Sequence, residues 1–590
     1  MSTTQDTREQ GGLPGGKPPG SRPAWLKAVR RYGPIAAVVV LIAGAVLVFG
    51  GRGGGDDDSD QPSSGGVEAA SQDELTRSGP MTPAKADLLG QEVDFGPNCD
   101  TELGRIKLPS VYAPPCVQPF EGDNGGATFQ GVTGDEIKVV YYRSDPAMDP
   151  LTTAMVAGAG VDIDPSAEAD TIQGFTDLYN HMFETYGRTV KVEVFTGTGA
   201  DDDIEAARAD AIAIAEKHPF AVIGGPRRAS PTFAAELASH QIVCGPTCAE
   251  ALPEDIVKEN EPYLWQALET PEQAVDGASA LIGSLAGPGK AVLAGDEDMR
   301  NQDRVYGLVH YDTPNGDHQP VFERFRDALA DNGIDLATDV EFTLDLAQGQ
   351  ENARTNISKL KAAGVTTVIY YGDPLTPGLL TKEATAQDYH PEWILGPSLL
   401  ADTTVFARLT DMEQWSHGFG ISGVGARGAL EDDNAFRIYK WAYGVLPPHN
   451  AANVLEPPLR TIFTGIHLAG PDLSPESFRD ALYRYPPSGG GPTEPQISRG
   501  EHGFFEDIDL GGVDDGTLIW FDPDAEGPDE VGNQGKGMYR YALGGKRYTF
   551  DDDVPTLEES GLFDDARSIT VYDEVPEEDR APDYPPPDLG

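Results

Sequence analysis

Apolar positions follow three different rules along this chain. Between Tyr32 and Gly51 they run without a charge, with the apolar heart at Ile35 to Phe49. From about residue 131 to 550 they recur in short alternating or continuous runs separated by helical spacings. Outside those two regions they have no period.

The central region reads as strands alternating with helices. Ile137 to Tyr142 is a buried-strand pattern, and Ile172, Phe175, Tyr179, Met182, Phe183 and Tyr186 then recur at helical spacing. Val190, Val192 and Val194 alternate with Lys191 and Glu193, predicting a second strand. A helix over 203–217 leads into the strand Phe220 to Ile223, and a helix over 231–240 into the strand Ile242 to Cys244. The pattern restarts after Leu268, with helix over 272–285, strands over 290–294 and 304–311, and a helix marked by Phe322, Phe325 and Leu329. Glu351 to Ala363 reads as helix and Val365 to Tyr371 as a long buried strand. After the Gly-rich segment 418–425 come helices over 433–446 and 457–468, then a capped start at Ser474. Strands alternating with helices of this length form right-handed crossover units around parallel sheets covered on both faces. Two such series predict two Rossmann-like lobes.

The uncharged run 32–51 is about 20 residues, enough at about 1.5 Å per residue to cross a hydrocarbon core of about 30 Å. Arg8, Lys17, Arg22, Lys27, Arg30 and Arg31 precede it and Asp56 to Asp58 follow, so positive-inside bias puts the amino terminus in the cytoplasm. The expectation is an N-terminal transmembrane helix with the body extracellular, a single-pass protein of the cell membrane. The alternative is an export signal cleaved near Ala43 to Ala45, which would leave Val46 to Phe49 on the mature end. Residues 1–31 read as a disordered cytoplasmic tail and 52–80 as a flexible tether. Residues 81–130 read as an irregular extension, and 551–590 as an acidic, Pro-rich tail unable to build a core.

Length and charge narrow the function. At 590 residues the chain can bury two ordinary cores. A formal net charge of −53 repels nucleic acid, which is excluded as a partner. Runs such as Asp201 to Asp203 and Asp551 to Asp553 lack Ca²⁺-loop spacing and read as solvated acid. Four cysteines fall into two local pairs, Cys99 with Cys116 and Cys244 with Cys248, and in an oxidising compartment these read as disulfides. Three connectivities exist, and loop closure favours near neighbours. Paired CxxC spacing is missing and no His cluster lies near either pair, so no metal site is expected. His310, Asp312, Asp317 and His318 cluster in sequence, as strand-end turns commonly do. The chain has no HExxH, no GxSxG and no GxxxxGK[ST], and Gly197 to Gly199 is only half a dinucleotide fingerprint. Neither catalytic residues nor cofactors are expected.

Gly131-Val-Thr-Gly-Asp-Glu-Ile-Lys138 resembles the opening of mature type I periplasmic solute-binding proteins of the leucine/isoleucine/valine-binding family. So do Phe220 to Gly225, Asn315-Gly316 leading into Phe322 to Leu329, Val368 to Gly372, and Trp393 to Pro397, in that order across about 400 residues. The resemblance implies two lobes joined by a multi-strand hinge, with ligand trapped on closure. Lobe one would comprise 131–268 and 425–515 and lobe two 269–424, with crossings near Leu268, Phe419 and Ile519 and hinge strands over 516–550. Members mostly present solutes to an ABC-type permease and some act as sensors; a monomer is expected. One departure is Lys290 to Asp303, which reads as an extra strand and loop.

In open parallel sheets a ligand sits beyond the carboxyl ends of the strands, where helix amino termini offer unpaired N–H groups. Those loops are 143–149, 224–230, 245–247, 312–316 and 372–377, and all five should converge on one cleft. The family's amino-acid pocket holds the ligand carboxylate with small hydroxyl residues after the third strand and with backbone plus Thr after the fourth. An aromatic and an acid of lobe two meet the ammonium. Matching positions carry Arg227, Arg228 and Ser230, then Thr247, on lobe one, and Asn315, Tyr371 and Asp373 on lobe two. Arg143 joins them at the end of the first strand. The acidic family position matches Pro377 instead, which departs from an α-amino acid pocket. Arg227 and Arg228 suit an anionic group, or else neutralise nearby acids. Three functions follow: a solute receptor feeding an importer, a sensing or cell-surface protein built on the same clamshell, and, distantly, an exported hydrolase.

Overall fold

The computed structural model describes residues 72–148, 163–201, 203–226, 229–249, 251–311, 319–342, 348–398, 400–505, 508–530, 532–549 and 554–589. The expected transmembrane segment 32–51, the cytoplasmic tail and most of the tether lie outside them. Among the described residues no helix is long and apolar enough to cross a membrane.

The described residues open with the helix Gln72–Ser78, inside the stretch expected to be tether. Leu75 is buried and Arg484 Nε donates to its carbonyl at 2.6 Å, so this end of the tether is docked. The extension carries the antiparallel pair β1 (Cys99–Asp100) and β2 (Arg105–Ile106), stapled by the Cys99–Cys116 disulfide. Its Ile106, Leu108 and Ala113 enter the first lobe's core.

The first sheet is parallel, in the order β4 (Thr189–Thr196), β3 (Glu136–Arg143), β5 (Ala221–Ile223), β6 (Val243–Cys244). Strand β3 is central, and its Ile137, Val139 and Val140 are fully buried. The expected alternation in β4 holds at Val190 and Val192 and fails at Val194, which is 36% exposed on this edge strand. The helix Pro165–Met182 buries Ile172, Phe175, Tyr179 and Met182 against one face. The helices Asn434–Tyr443, Ala452–Ala469 and Pro475–Arg484 return to the same cluster through Phe436, Phe463 and Phe478. The middle one starts five residues before Pro457 and carries Pro457 and Pro458 inside it. The helices Ile204–Ala215 and Ser230–Ser239 cover the opposite face. Asp201 and Asp203 are structural rather than merely solvated: Asp203 caps a helix by accepting from Ala206 N at 3.0 Å, and Asp201 is buried.

The second sheet has nine strands. Its parallel part follows the order β8 (Leu336–Phe342), β7 (Tyr306–Tyr311), β9 (Thr367–Gly372), β10 (Glu392–Ser398), β11 (Gly418–Ser422). It is extended by antiparallel β12 (Asp515–Pro528), β13 (Gln534–Ala542) and β15 (Ser568–Ile569), with β14 (Arg547–Thr549) also on β12. Here the structure departs from expectation. Phe419 and Ile519 do not cross between lobes: Phe419 pairs with Trp520 and Gly420 with Ile519 inside this sheet, so 516–550 belongs to lobe two. The chain passes between lobes at 265–270, 423–433 and 509–514.

Residues 290–294, expected as a strand, form a turn with one bridge, Lys290 to Asp303. Their backbone is satisfied by a buried side chain instead. Glu392 Oε1 accepts from Leu293 N at 2.8 Å, while Glu392 also receives Arg304 Nε at 2.8 Å and Thr367 Oγ1 at 2.7 Å. The acidic tail does find a core. Leu562 is buried, Phe563 meets Phe419 and Trp520, and Ile569 pairs with Tyr541.

Candidate functional site

Both parallel sheets hand the chain across at their carboxyl ends. The segment leaving lobe one pairs parallel to β6, Cys244 with Leu264, and then enters the helix Pro271–Leu285, whose amino end starts lobe two. The second crossing departs from the carboxyl end of β11, which is parallel to β10. Strand ends and helix amino termini of both lobes therefore border the same crossing region.

On lobe one, hydrogen bonds tie four strand-end loops together. Ser144 Oγ, after β3, donates to Asp201 Oδ1 at 2.5 Å, after β4. Ala229 N, after β5, donates to the Asp201 carbonyl at 2.9 Å. Gly224 N donates to Thr247 Oγ1, after β6, at 3.2 Å. Gly224 has φ +70° and a Cβ there would lie 2.3 Å from the Tyr142 carbonyl, so only glycine lets this loop approach β3.

Thr247 also has φ +70°, a costly conformation for a β-branched residue. The Cys244–Cys248 disulfide brackets it, with Cα atoms 5.4 Å apart. Because Thr247 Oγ1 already accepts from Gly224, its own O–H remains to donate. Ser230 is 2% exposed and its Oγ has no hydrogen-bond partner among the described residues. It opens the helix Ser230–Ser239, whose first turn has no side-chain cap. Uncapped N–H groups, a threonine hydroxyl and an unpaired serine thus lie on the strand-end loops of lobe one. Arg143, by contrast, is engaged within lobe one, donating to Thr196 Oγ1 at 2.8 Å with Nε 3.9 Å from Glu168. Arg227 and Arg228 lie outside the described residues.

Lobe two is built differently. Asp373 is buried and caps the helix Thr376–Ala386, accepting from Leu375 N at 2.7 Å, Thr376 N at 3.0 Å and Thr376 Oγ1 at 2.6 Å. Burial pushes its carboxyl upward while those donors pull it back. The carboxylate foreseen for a ligand ammonium is thus spent on its own helix. Tyr371 is half-buried against Phe322 and Phe325, and burial raises its phenol. Asn315, Asp312, Asp317 and His318 lie outside the described residues; His310 is buried, with Nε2 3.5 Å from Asp339.

Sequence reasoning did not single out the polar groups of the crossing region. Burial pushes Glu269 to about 7 and Asp402 to about 6, and Asp402 accepts from Ser422 Oγ at 2.7 Å. Arg547 Nε pairs with Asp515 Oδ1 at 2.8 Å and its Nη2 reaches the Gly423 carbonyl at 2.9 Å, joining β14, β12 and the second crossing. Nothing in the one-dimensional pattern brings 269, 402, 423, 515 and 547 together.

No family model matches the chain, and no curated protein matches it. Among solved structures it is similar to an ABC transporter substrate-binding protein from Sphaerobacter thermophilus, at 12% identity and a TM-score of 0.48, covering 71% of this chain and 100% of that one. It is also similar to the branched-chain amino acid transporter substrate binding protein LivJ from Streptococcus pneumoniae in complex with isoleucine, at 13% identity and 0.42, covering 69% and 100%. A solute binding protein of an ABC transporter from R. palustris, in complex with 4-hydroxybenzoate, gives 12% and 0.45, covering 71% and 98%. Likenesses this distant assign neither ligand nor partner.

Proposed function

We propose that this chain is an extracytoplasmic solute-binding receptor that traps a small carboxylate-bearing metabolite between two lobes and presents it to an ABC importer. The carrying observation is the lobe-one corner: Ser230 Oγ unpaired, Thr247 free to donate, and an uncapped helix amino terminus beside them. The acid of these loops, Asp201, already has its carboxylate bonded by Ser144 Oγ, so the donors left over suit an anionic group. Because Asp373 is committed to its cap, an α-amino acid lacks its expected ammonium partner there, and carboxylates without an amine fit better. Two disulfides support an oxidising compartment, in keeping with anchoring through 32–51 and a body outside the cytoplasm.

Thermal-shift screening of the full chain against amino acids, amides, short peptides and dicarboxylates tests this. A ligand at 100 times its dissociation constant adds about 2.7 kcal/mol of stability. Ser230→Ala and Thr247→Gly/Ser230→Ala variants should lose most of that shift. Equal shifts in the variants and the native chain would reject the corner as the ligand's seat.

A further inference from the structure

The acidic tail continues beyond lobe two's core and ends on lobe one. On lobe two, Ser284 Oγ donates to the Val554 carbonyl at 2.9 Å, Leu562 is buried, Phe563 packs on Trp520 with centroids 5.2 Å apart, and Ser568–Ile569 adds β15 to the sheet. The tail then runs beside the second crossing: Tyr572 N donates to the Arg427 carbonyl at 2.7 Å, and Val571 forms a parallel bridge with Arg427. On lobe one, Trp441 Nε1 donates to the Tyr584 carbonyl at 2.8 Å, and Tyr584 OH donates to Asp100 Oδ2 at 3.0 Å, in the disulfide-stapled extension. Leu589 packs against the lobe-one core.

We infer that residues 554–589 form a strap that spans the hinge and restrains the angle between the lobes. This rests on the clamshell reading above. Three crossing segments alone would leave hinge motion to their own backbone torsions. The strap adds a fourth connection whose two anchors sit on different bodies, so any change of lobe angle must stretch, slacken or release it. The two anchorages are unequal. The lobe-two end is a sheet strand with buried apolar side chains; the lobe-one end, held by hydrogen bonds at Tyr584 and a partly buried leucine, has no strand among the described residues, and it is the end that lets go. Pro582, Pro585, Pro586 and Pro587 stiffen that end in extended conformations, so it keeps its reach without a packed core around it. Arg427 lies at the junction: its backbone holds the strap while its Nη2 donates to the Pro528 carbonyl of lobe two at 2.9 Å. The strap thereby touches the very crossing about which the lobes would turn.

The test is a spin-label distance measurement between the lobes in the full chain, with labels at Glu205→Cys and Lys359→Cys, both exposed and on different lobes. No described cysteine is free to compete for label. Trp441→Phe, Tyr584→Ala and Leu589→Ala together remove the indole donor, the phenol bond and the leucine contact that hold the strap to lobe one. Termination after Tyr572 removes it altogether, and should that truncated chain fail to fold the point variant decides. A distance distribution that broadens and shifts when the anchor is freed is the expected result. A distribution already broad in the native chain and unchanged in the variants overturns the strap and leaves the clamshell standing. One narrow distance, the same in the native, point-variant and truncated chains, removes hinge motion itself and the strap with it.

Discussion

The carboxyl groups of Asp509 and Asp514 act on each other in the third crossing segment, where Asp509 Oδ2 and Asp514 Oδ1 are buried with no other hydrogen-bond partner among the described residues. Their other oxygens are held from both lobes: Asp509 Oδ1 accepts from Gln273 Nε2 and Gly511 N, each at 3.0 Å, and Asp514 Oδ2 from Ser498 Oγ at 2.8 Å. Arg499, Arg547, Glu269, Asp402, Asp515 and Tyr483 are the charged or titratable groups around them. Two carboxylates in contact cannot both ionise, so one proton stays.

A loss of stability with rising pH follows. Burial, and then the Asp509 charge, pushes Asp514 up to about 8, and burial pushes Glu269 to about 7. The unfolded chain releases these protons near pH 4, so between about 4 and 8 the native state binds more. Their contribution is complete below about pH 4 and fades as pH rises through the folded values, at roughly 1.4 kcal/mol per pH unit per proton. Asp514→Asn, whose amide can donate to Asp509 at any pH, should flatten the decline. Melting temperatures at about pH 5 and about pH 8 check this; an equal drop in native and variant chains would rule the pair out as its source.

Within lobe one, Glu456 is fully buried. It accepts from Tyr179 OH and from Arg460 Nε at 2.9 Å, and Arg460 lies 4.5 Å above the Tyr112 ring. Glu456→Ala strands a buried guanidinium and should cost about 3–5 kcal/mol in denaturant unfolding. Replacing both residues with leucine or methionine should cost markedly less, since no charge is left unpaired.

Much of the parallel architecture was legible because strands buried on both faces write continuous apolar runs, as Phe220 to Ile223 and Val365 to Tyr371 do. The C-terminal strands were harder. Asp515 to Pro528 mixes acids and glycine with Leu518 to Phe521, and nothing local says which lobe such a strand joins; its partner Gly418 to Ser422 decides. The tail was misjudged for a related reason. Leu562, Phe563 and Ile569 are too sparse to show a period, yet each fills a site prepared by residues far away in sequence. At the candidate site, the strand order that puts the loops of Ser230 and Thr247 side by side was legible. The commitment of Asp373 to a cap was not singled out in advance, although Asp373 stands three residues before Thr376 and two before Leu375, the spacing of a capping side chain.

Asp373 gives a clean separation of roles. As a cap it should cost about 1–2 kcal/mol when changed to Ala, and Asp373→Asn or Asp373→Ser should recover most of that. Ligand affinity at matched temperature should barely move. A large loss of affinity with unchanged melting would instead restore Asp373 as a ligand contact.

Thr247 and its disulfide make the opposite case, in which stability and binding should diverge. Thr247→Gly removes the penalty of a β-branched residue at φ +70° and should gain on the order of 1 kcal/mol, offset in part by the entropy of glycine in the unfolded chain. The same change deletes the hydroxyl, so affinity for whichever carboxylate the screen identifies should fall severalfold or more. Cys244→Ser with Cys248→Ser acts from the other side: the five-residue loop contributes about 2 kcal/mol in the chain-entropy treatment, and without it the loop that presents Thr247 must be ordered by the ligand. Calorimetric titration of both variants, alongside their melting temperatures, checks the pair. Weaker binding with opposite shifts in melting supports a threonine held ready by the disulfide; unchanged affinity in both would remove this loop from the ligand's site.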